Sequence, residues 1–156
     1  MSEQQANVEQ HKIDFLKKFE EERADWTEKI RQLSIRMKNI RELTDVQVEL
    51  FSSRQILIEY VAKLGQVMSK LNARYRKDRG DKMRHYSENI QVKYGANEKT
   101  PLIEGDLTEL KERIDVVDIQ ISFINETLKS VDFMIYGIKQ RISLEEYLRS
   151  GPNRKD

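Results

Sequence analysis

Between Leu107 and Ile142 the apolar residues of this chain fall three and four apart without a miss. They are Leu107, Leu110, Ile114, Val117, Ile121, Ile124, Leu128, Val131, Ile135, Ile138 and Ile142. An α-helix repeats every ~3.6 residues, so this alternation lays one continuous apolar stripe along a helix. Val116, Ile119, Phe123, Phe133 and Met134 widen it. Asp106 is placed to cap the helix, with Glu109 three positions on, and "SGP" at Ser150 to Pro152 to stop it. From Asp106 to Arg149 such a helix is ~66 Å long at ~1.5 Å per residue. It cannot cover so wide a face alone. Folding back on a second helix covers part. The strict seam predicts that self-association covers the rest, with the stripe residues from Leu110 to Ile142 as the oligomerisation contacts.

The rest of the chain also reads as helix. Leu16, Phe19, Arg23, Trp26, Ile30, Leu33, Met37 and Ile40 form a second heptad seam, flawed only at Arg23, on a helix expected over about Val8 to Ile40. Its outer positions carry both signs of charge, nine acidic and nine basic residues from Met1 to Leu43. Thr44 with Gln47 has the form of a capping box and predicts a restart there. A helix over about Asp45 to Lys77 then carries Leu50, Leu57, Val61, Leu64, Met68, Leu71 and Tyr75, and Gly80 is expected to end it. From Asp81 to Gly105 the periodicity is lost. A long connection is expected, with room for a short helix near Met83 to Val92. The expected architecture is all-α, with long helices forming a hairpin or coiled-coil-like unit that assembles into a homo-oligomer. Its parts are a charged heptad helix over 1–43 for assembly or partner binding, a helical core over 44–151 and a tail over 152–156.

Composition supports this. Of 156 residues, 35% are charged and 38% apolar, the balance of long helices that bury one stripe. There is no cysteine, which excludes a disulfide scaffold and a thiolate zinc site and fits a reducing compartment. No run approaches the ~20 apolar residues of a membrane span. A soluble, cytoplasmic protein without a membrane role is expected.

Catalytic signatures are missing. There is no phosphate-binding G-x-x-x-x-G-K-[ST] loop, no G-x-G-x-x-G and no nucleophile elbow. His11 and His85 stand at no metal-ligand spacing, and each reads as a surface residue. Asp115 with Asp118, and Glu109 with Glu112, read as solvated helix carboxylates. The "RGD" at Arg79 to Asp81 has no extracellular partner to meet in a cytosolic protein. No enzyme activity, metal or cofactor is expected.

The conspicuous charge is "KLNARYRKDRGDKMRHY", Lys70 to Tyr86. It holds seven basic residues and two aspartates, in a chain whose net charge is +1. Helical spacing puts Lys70, Arg74 and Lys77 on one face beside Tyr75, and Arg76, Arg79, Lys82 and Arg84 complete the cluster. Cations neutralise phosphates, and tyrosine rings stack on the bases of a single strand. Tyr86 and Tyr94 are available for the same use. The same cluster also reads as a helix end whose cations complement the dipole, with Tyr75 as core, or as a surface for an acidic protein.

At this point the chain resembles the UvsY-type recombination mediators of tailed phages. Leu71, Ala73, Arg74 and Gly80 in "LNARYRKDRGD" match the family's Leu-Lys-Ala-Arg segment and its glycine turn, with Asn72 where the pattern has lysine. "GIKQRI", Gly137 to Ile142, is similar to an Ile-Lys-x-Arg stretch in the family's last helix. The likeness spans about Thr44 to Gly151, and the first forty residues depart from it. It implies a non-enzymatic protein that binds single-stranded DNA and forms homo-oligomeric, hexameric or heptameric rings. Such a protein helps a RecA-like recombinase displace single-strand-binding protein. The rival class is a structural coiled-coil assembly or adaptor protein with no DNA role.

Overall fold

A computed structural model describes residues 3–88 and 95–150, with side chains from Phe15 onward except that of Ala96. Tyr94, the His11 side chain, residues 89–92, the stop at Gly151 and Pro152, and the tail lie outside the described residues. The chain is all-α: α1 (Glu3–Arg36), a 3-10 turn (Ile40–Glu42), α2 (Leu43–Glu88), α3 (Ala96–Asp106) and α4 (Thr108–Ser150). The two long helices, α2 and α4, pack together as a hairpin-like pair. The chain divides into two compact units, Met1–Tyr60 with Phe123–Asp156, and Val61–Ser122.

In the first unit α1 joins residues 43–60 of α2 and 123–150 of α4. The core is Phe19, Leu33, Leu43, Val46, Leu50, Leu57, Ile124, Val131 and Ile138. On α2 these follow heptad spacing through Ser53, so each turn adds one buried side chain. The break between α1 and α2 falls where a restart is expected, but Asn39 makes it. Its side chain accepts from the Arg41 N–H at 3.1 Å, and Thr44 lies inside α2. Arg36 fixes the corner by reaching Glu42 at 2.9 Å and Glu49 at 2.7 Å. From α4, Arg141 donates to the carbonyls of Met37 at 2.6 Å and Lys38 at 3.1 Å, backbone acceptors just past α1. One turn earlier Gly137 faces Met37, whose terminal carbon would lie in ordinary contact, at 3.7 Å, with an added Cβ. Arg141 of "GIKQRI" thus seats the end of α1. Arg54 and Asp132 tie α2 to α4 at 2.7 Å.

The expected α4 stripe is divided. Val117, Ile124, Val131 and Ile138 are buried, whereas Leu110, Ile114, Ile121, Leu128, Ile135 and Ile142 are half-buried. Gln120 and Thr127 are buried beside them, and Thr127 satisfies its hydroxyl on the Phe123 carbonyl at 2.9 Å. The inner face is therefore turned by about one position from the purely apolar stripe, toward these two polar residues.

In the second unit residues 61–88 of α2 meet α3 and residues 108–122 of α4. Leu64, Ile103, Leu107, Val117 and Gln120 are its buried residues. Three expectations are corrected here. Gly80 does not end α2, which continues to Glu88. A Cβ at Gly80 would meet nothing within 4 Å, so this glycine is only a weak spot on the outer face. The helix is carried past it by inward contacts of Tyr75, Lys82 and Tyr86. Nor is Asp81 to Gly105 one long connection, because most of it belongs to α2 and α3. Gly95 starts α3, its N–H donating to Glu98 at 2.9 Å. Pro101 lies inside α3, and Asp106 ends α3 where it was expected to cap α4. A single turn at Leu107, whose N–H donates to the Ile103 carbonyl at 3.1 Å, leads into α4.

Candidate nucleic-acid interface

Lys70 to Tyr86 lies wholly on α2, so its spacing decides where each side chain goes. Leu71, Tyr75, Asp78, Lys82 and Tyr86 follow each other three or four apart, and all are half-buried. Lys70, Arg74, Lys77 and Arg84 share the opposite, exposed face.

The inward group meets two carboxylates of α3. Tyr75 donates its hydroxyl to Glu104, with oxygens at 3.2 and 3.3 Å, and Arg79 lies 3.7 Å from the same carboxylate. Lys111 of α4 also pairs with Glu104 and stands 5.9 Å over the Tyr75 ring. Lys82 pairs with Asp106 at 2.9 Å, and Tyr86 donates to the same carboxylate at 3.0 Å. The Lys82 bond, and less so that of Tyr86, holds the Asp106 carboxyl below the usual aspartate range. Asp106 in turn raises Lys82. A cavity of about 410 Å³ lies here, lined by Asp78, Asp81, Lys82, His85, Asp106 and Leu107. His85 is exposed and meets the Tyr86 ring edge-on at 5.6 Å.

The outward group is differently placed. Arg74 reaches Asp78 on its own helix at 3.4 Å, and Arg84 pairs with Asp81. Lys70, Arg76 and Lys77 are exposed, and none has an ion-pair partner among the described residues. Lys63 was not picked out from sequence, yet it continues the exposed face seven residues before Lys70. The signal was present: Lys63, Lys70, Lys77 and Arg84 repeat every seven residues, or ~10.5 Å along a helix. Of the eight expected DNA-contacting residues, Lys70, Arg74, Arg76, Lys77 and Arg84 thus face solvent. Tyr75, Arg79 and Lys82 turn to α3.

Chemically, the outward stripe offers exposed cations at regular intervals, suited to a chain of phosphates and blind to base identity. The inward group offers two cations and two phenols already engaged by carboxylates. No family model, curated protein or solved structure matches this chain.

Proposed function

We propose that this chain binds single-stranded DNA along the outward face of α2 and acts as a recombination mediator. In this role it helps load a RecA-like recombinase onto DNA covered by single-strand-binding protein. The observation that carries the reading is the exposed row Lys63, Lys70, Arg74, Lys77 and Arg84 on one helix of a chain with a net charge of only +1. Phosphate binding rewards such segregated charge. The mediator role rests on the resemblance at Leu71, Ala73, Arg74, Gly80 and "GIKQRI". The protein works as a homo-oligomer through the half-buried line Leu110, Ile114, Ile121, Leu128, Ile135 and Ile142, which its own helices leave partly uncovered.

A second reading, a structural coiled-coil assembly protein, is favoured by Arg79 and Lys82, whose partners are acids of the same chain. Titrating a labelled single-stranded oligonucleotide over a salt series separates the two. Lys70→Ala, Arg74→Ala and Lys77→Ala together should weaken binding to all sequences alike and flatten the salt slope by ~2. Helix content should be unchanged, because the three side chains are exposed. Binding with an unaltered slope in the triple variant moves the site elsewhere, and no binding by the intact protein favours the structural reading.

A further inference from the structure

Four side chains of the segment, the half-buried Tyr75, Lys82 and Tyr86 and the exposed Arg79, meet carboxylates of α3 and have the chemistry to bind phosphates and bases. Arg79 and Lys82 are cations, and Tyr75 and Tyr86 are phenols able to donate to an anion or to stack on a base. All four meet oxygens of Glu104 and Asp106, as they would meet the oxygens of a nucleic-acid backbone. We propose that α3 is an internal phosphate mimic: single-stranded DNA binds first on the outward stripe of α2, then displaces Glu104 and Asp106 and takes over Tyr75, Arg79, Lys82 and Tyr86. This rests on the strand-binding reading above.

The helix that carries the mimics is built to yield. It has 11 residues, below the ~12 at which an isolated helix becomes even marginal, with Pro101 inside it. Gly105 lies between the two carboxylates, at another weak position. Its anchors are Ile103 and Leu107, both buried, while Leu102 is exposed. The ion pairs across it are half-exposed, and such pairs are individually weak. A polyanion that offers many phosphates to the same cations competes on favourable terms, and elements that open during binding come from the low-stability part of a fold.

The test compares the intact protein with Glu104→Gln combined with Asp106→Asn, using a fluorescent oligothymidylate over a salt series. The neutral variant should bind about fivefold more tightly, the scale of one exposed ion pair no longer opposed. Its salt slope should be steeper by ~1.4, for two further phosphates. Asp115→Asn with Asp118→Asn removes the same charge from exposed positions of the same unit, and should leave affinity and slope close to those of the intact protein. A control variant that gains as much as the Glu104 and Asp106 pair reduces the effect to net charge and overturns the proposal.

Amide exchange over residues 97–106 of the unmutated protein provides a second readout that needs no variant. Exchange should accelerate when oligothymidylate is added, and unchanged or slower exchange overturns the displacement. Failure here is distinguishable from failure of the proposed function. If the Lys70, Arg74 and Lys77 triple variant loses affinity while α3 stays shut, only the displacement is wrong. If the triple variant binds as the intact protein does, the strand-binding reading falls and takes the displacement with it.

Discussion

The inner face of α2 changes chemistry along its length while its spacing stays the same. In the unit of residues 1–60 and 123–156 it presents Leu43, Val46, Leu50, Ser53 and Leu57, all buried. In the unit of residues 61–122 the continuing positions are Leu64, Met68, Leu71, Tyr75, Asp78, Lys82 and Tyr86, and beyond Leu64 all are only half-buried. One stretch is held by apolar contact, which is non-directional and roughly proportional to buried area. The other ends in hydrogen bonds and ion pairs at half-exposed sites, where water and other anions compete. A single helix can thus be a fixed strut in one unit and an exchangeable surface in the other, without any change in its backbone.

The comparison can be broken most severely at Ile124, which is fully buried in the first unit. Ile124→Asp should cost more than ~4 kcal/mol and abolish cooperative unfolding by circular dichroism, because a carboxylate there has no partner. Leu128→Asp, one turn on and half-buried, should keep the helices and, if the proposed homo-oligomer forms through this line, lower the sedimenting mass. Equal damage from both substitutions would mean that one apolar face serves both purposes. Next in size, Leu57→Ala should cost ~2–5 kcal/mol in urea titration. Leu71→Ala, the same change on the same helix but at a half-buried site, should cost about 1 kcal/mol. Similar values would erase the contrast between the two units.

A smaller effect, of opposite sign, is expected at Ser53. Its buried hydroxyl has no hydrogen-bond partner among the described residues. Ser53→Ala removes a desolvated polar group and should stabilise the protein by about 1 kcal/mol. The smallest expected effect is a pH dependence of two places where an ion pair lowers a carboxyl, α3 in the second unit and the Arg36–Glu42 corner in the first. Asp106 titrates below its ordinary value, chiefly through the Lys82 bond. A carboxyl lowered by folding contributes stability above its unfolded value and loses it as pH falls through the folded one. Acidification below the usual carboxylate range should therefore speed amide exchange in α3 and at the Arg36–Glu42 corner before it affects residues around Leu50 and Val131. Uniform acid loss across both units would contradict this.

The helical class and the extent of α4 were legible because they depend on apolar spacing over short distances, and the corner between α1 and α2 was legible as a break, though not in the residue, Asn39, that makes it. The sequence did not reveal that α2 continues past Gly80. The contacts that support that stretch join Tyr75 to Glu104 and Tyr86 to Asp106, 29 and 20 residues apart, and no local pattern encodes them. Nor did an apolar count place Gln120 and Thr127 inside, because it selects Ile121 and Leu128 next to them. At the candidate interface the charge cluster was plain in composition. Which cations face solvent and which face α3 was not, because that depends on a helix whose internal proline disguised it as loop.

Arg54, Asp132 and Gln120 also bear on a question of alignment. Apolar residues that recur every seven positions make two helices nearly indifferent to sliding by one repeat, ~10.5 Å, since each side chain would find an equivalent neighbour. What does not repeat must choose the position. Slipping the pair would part Arg54 from Asp132 and carry the buried amide of Gln120 to new neighbours, whereas the Thr127 hydroxyl would keep its partner on its own helix, the Phe123 carbonyl. Polar side chains that reach across add little to the strength of the hairpin, yet they set its offset apart from the neighbouring ones.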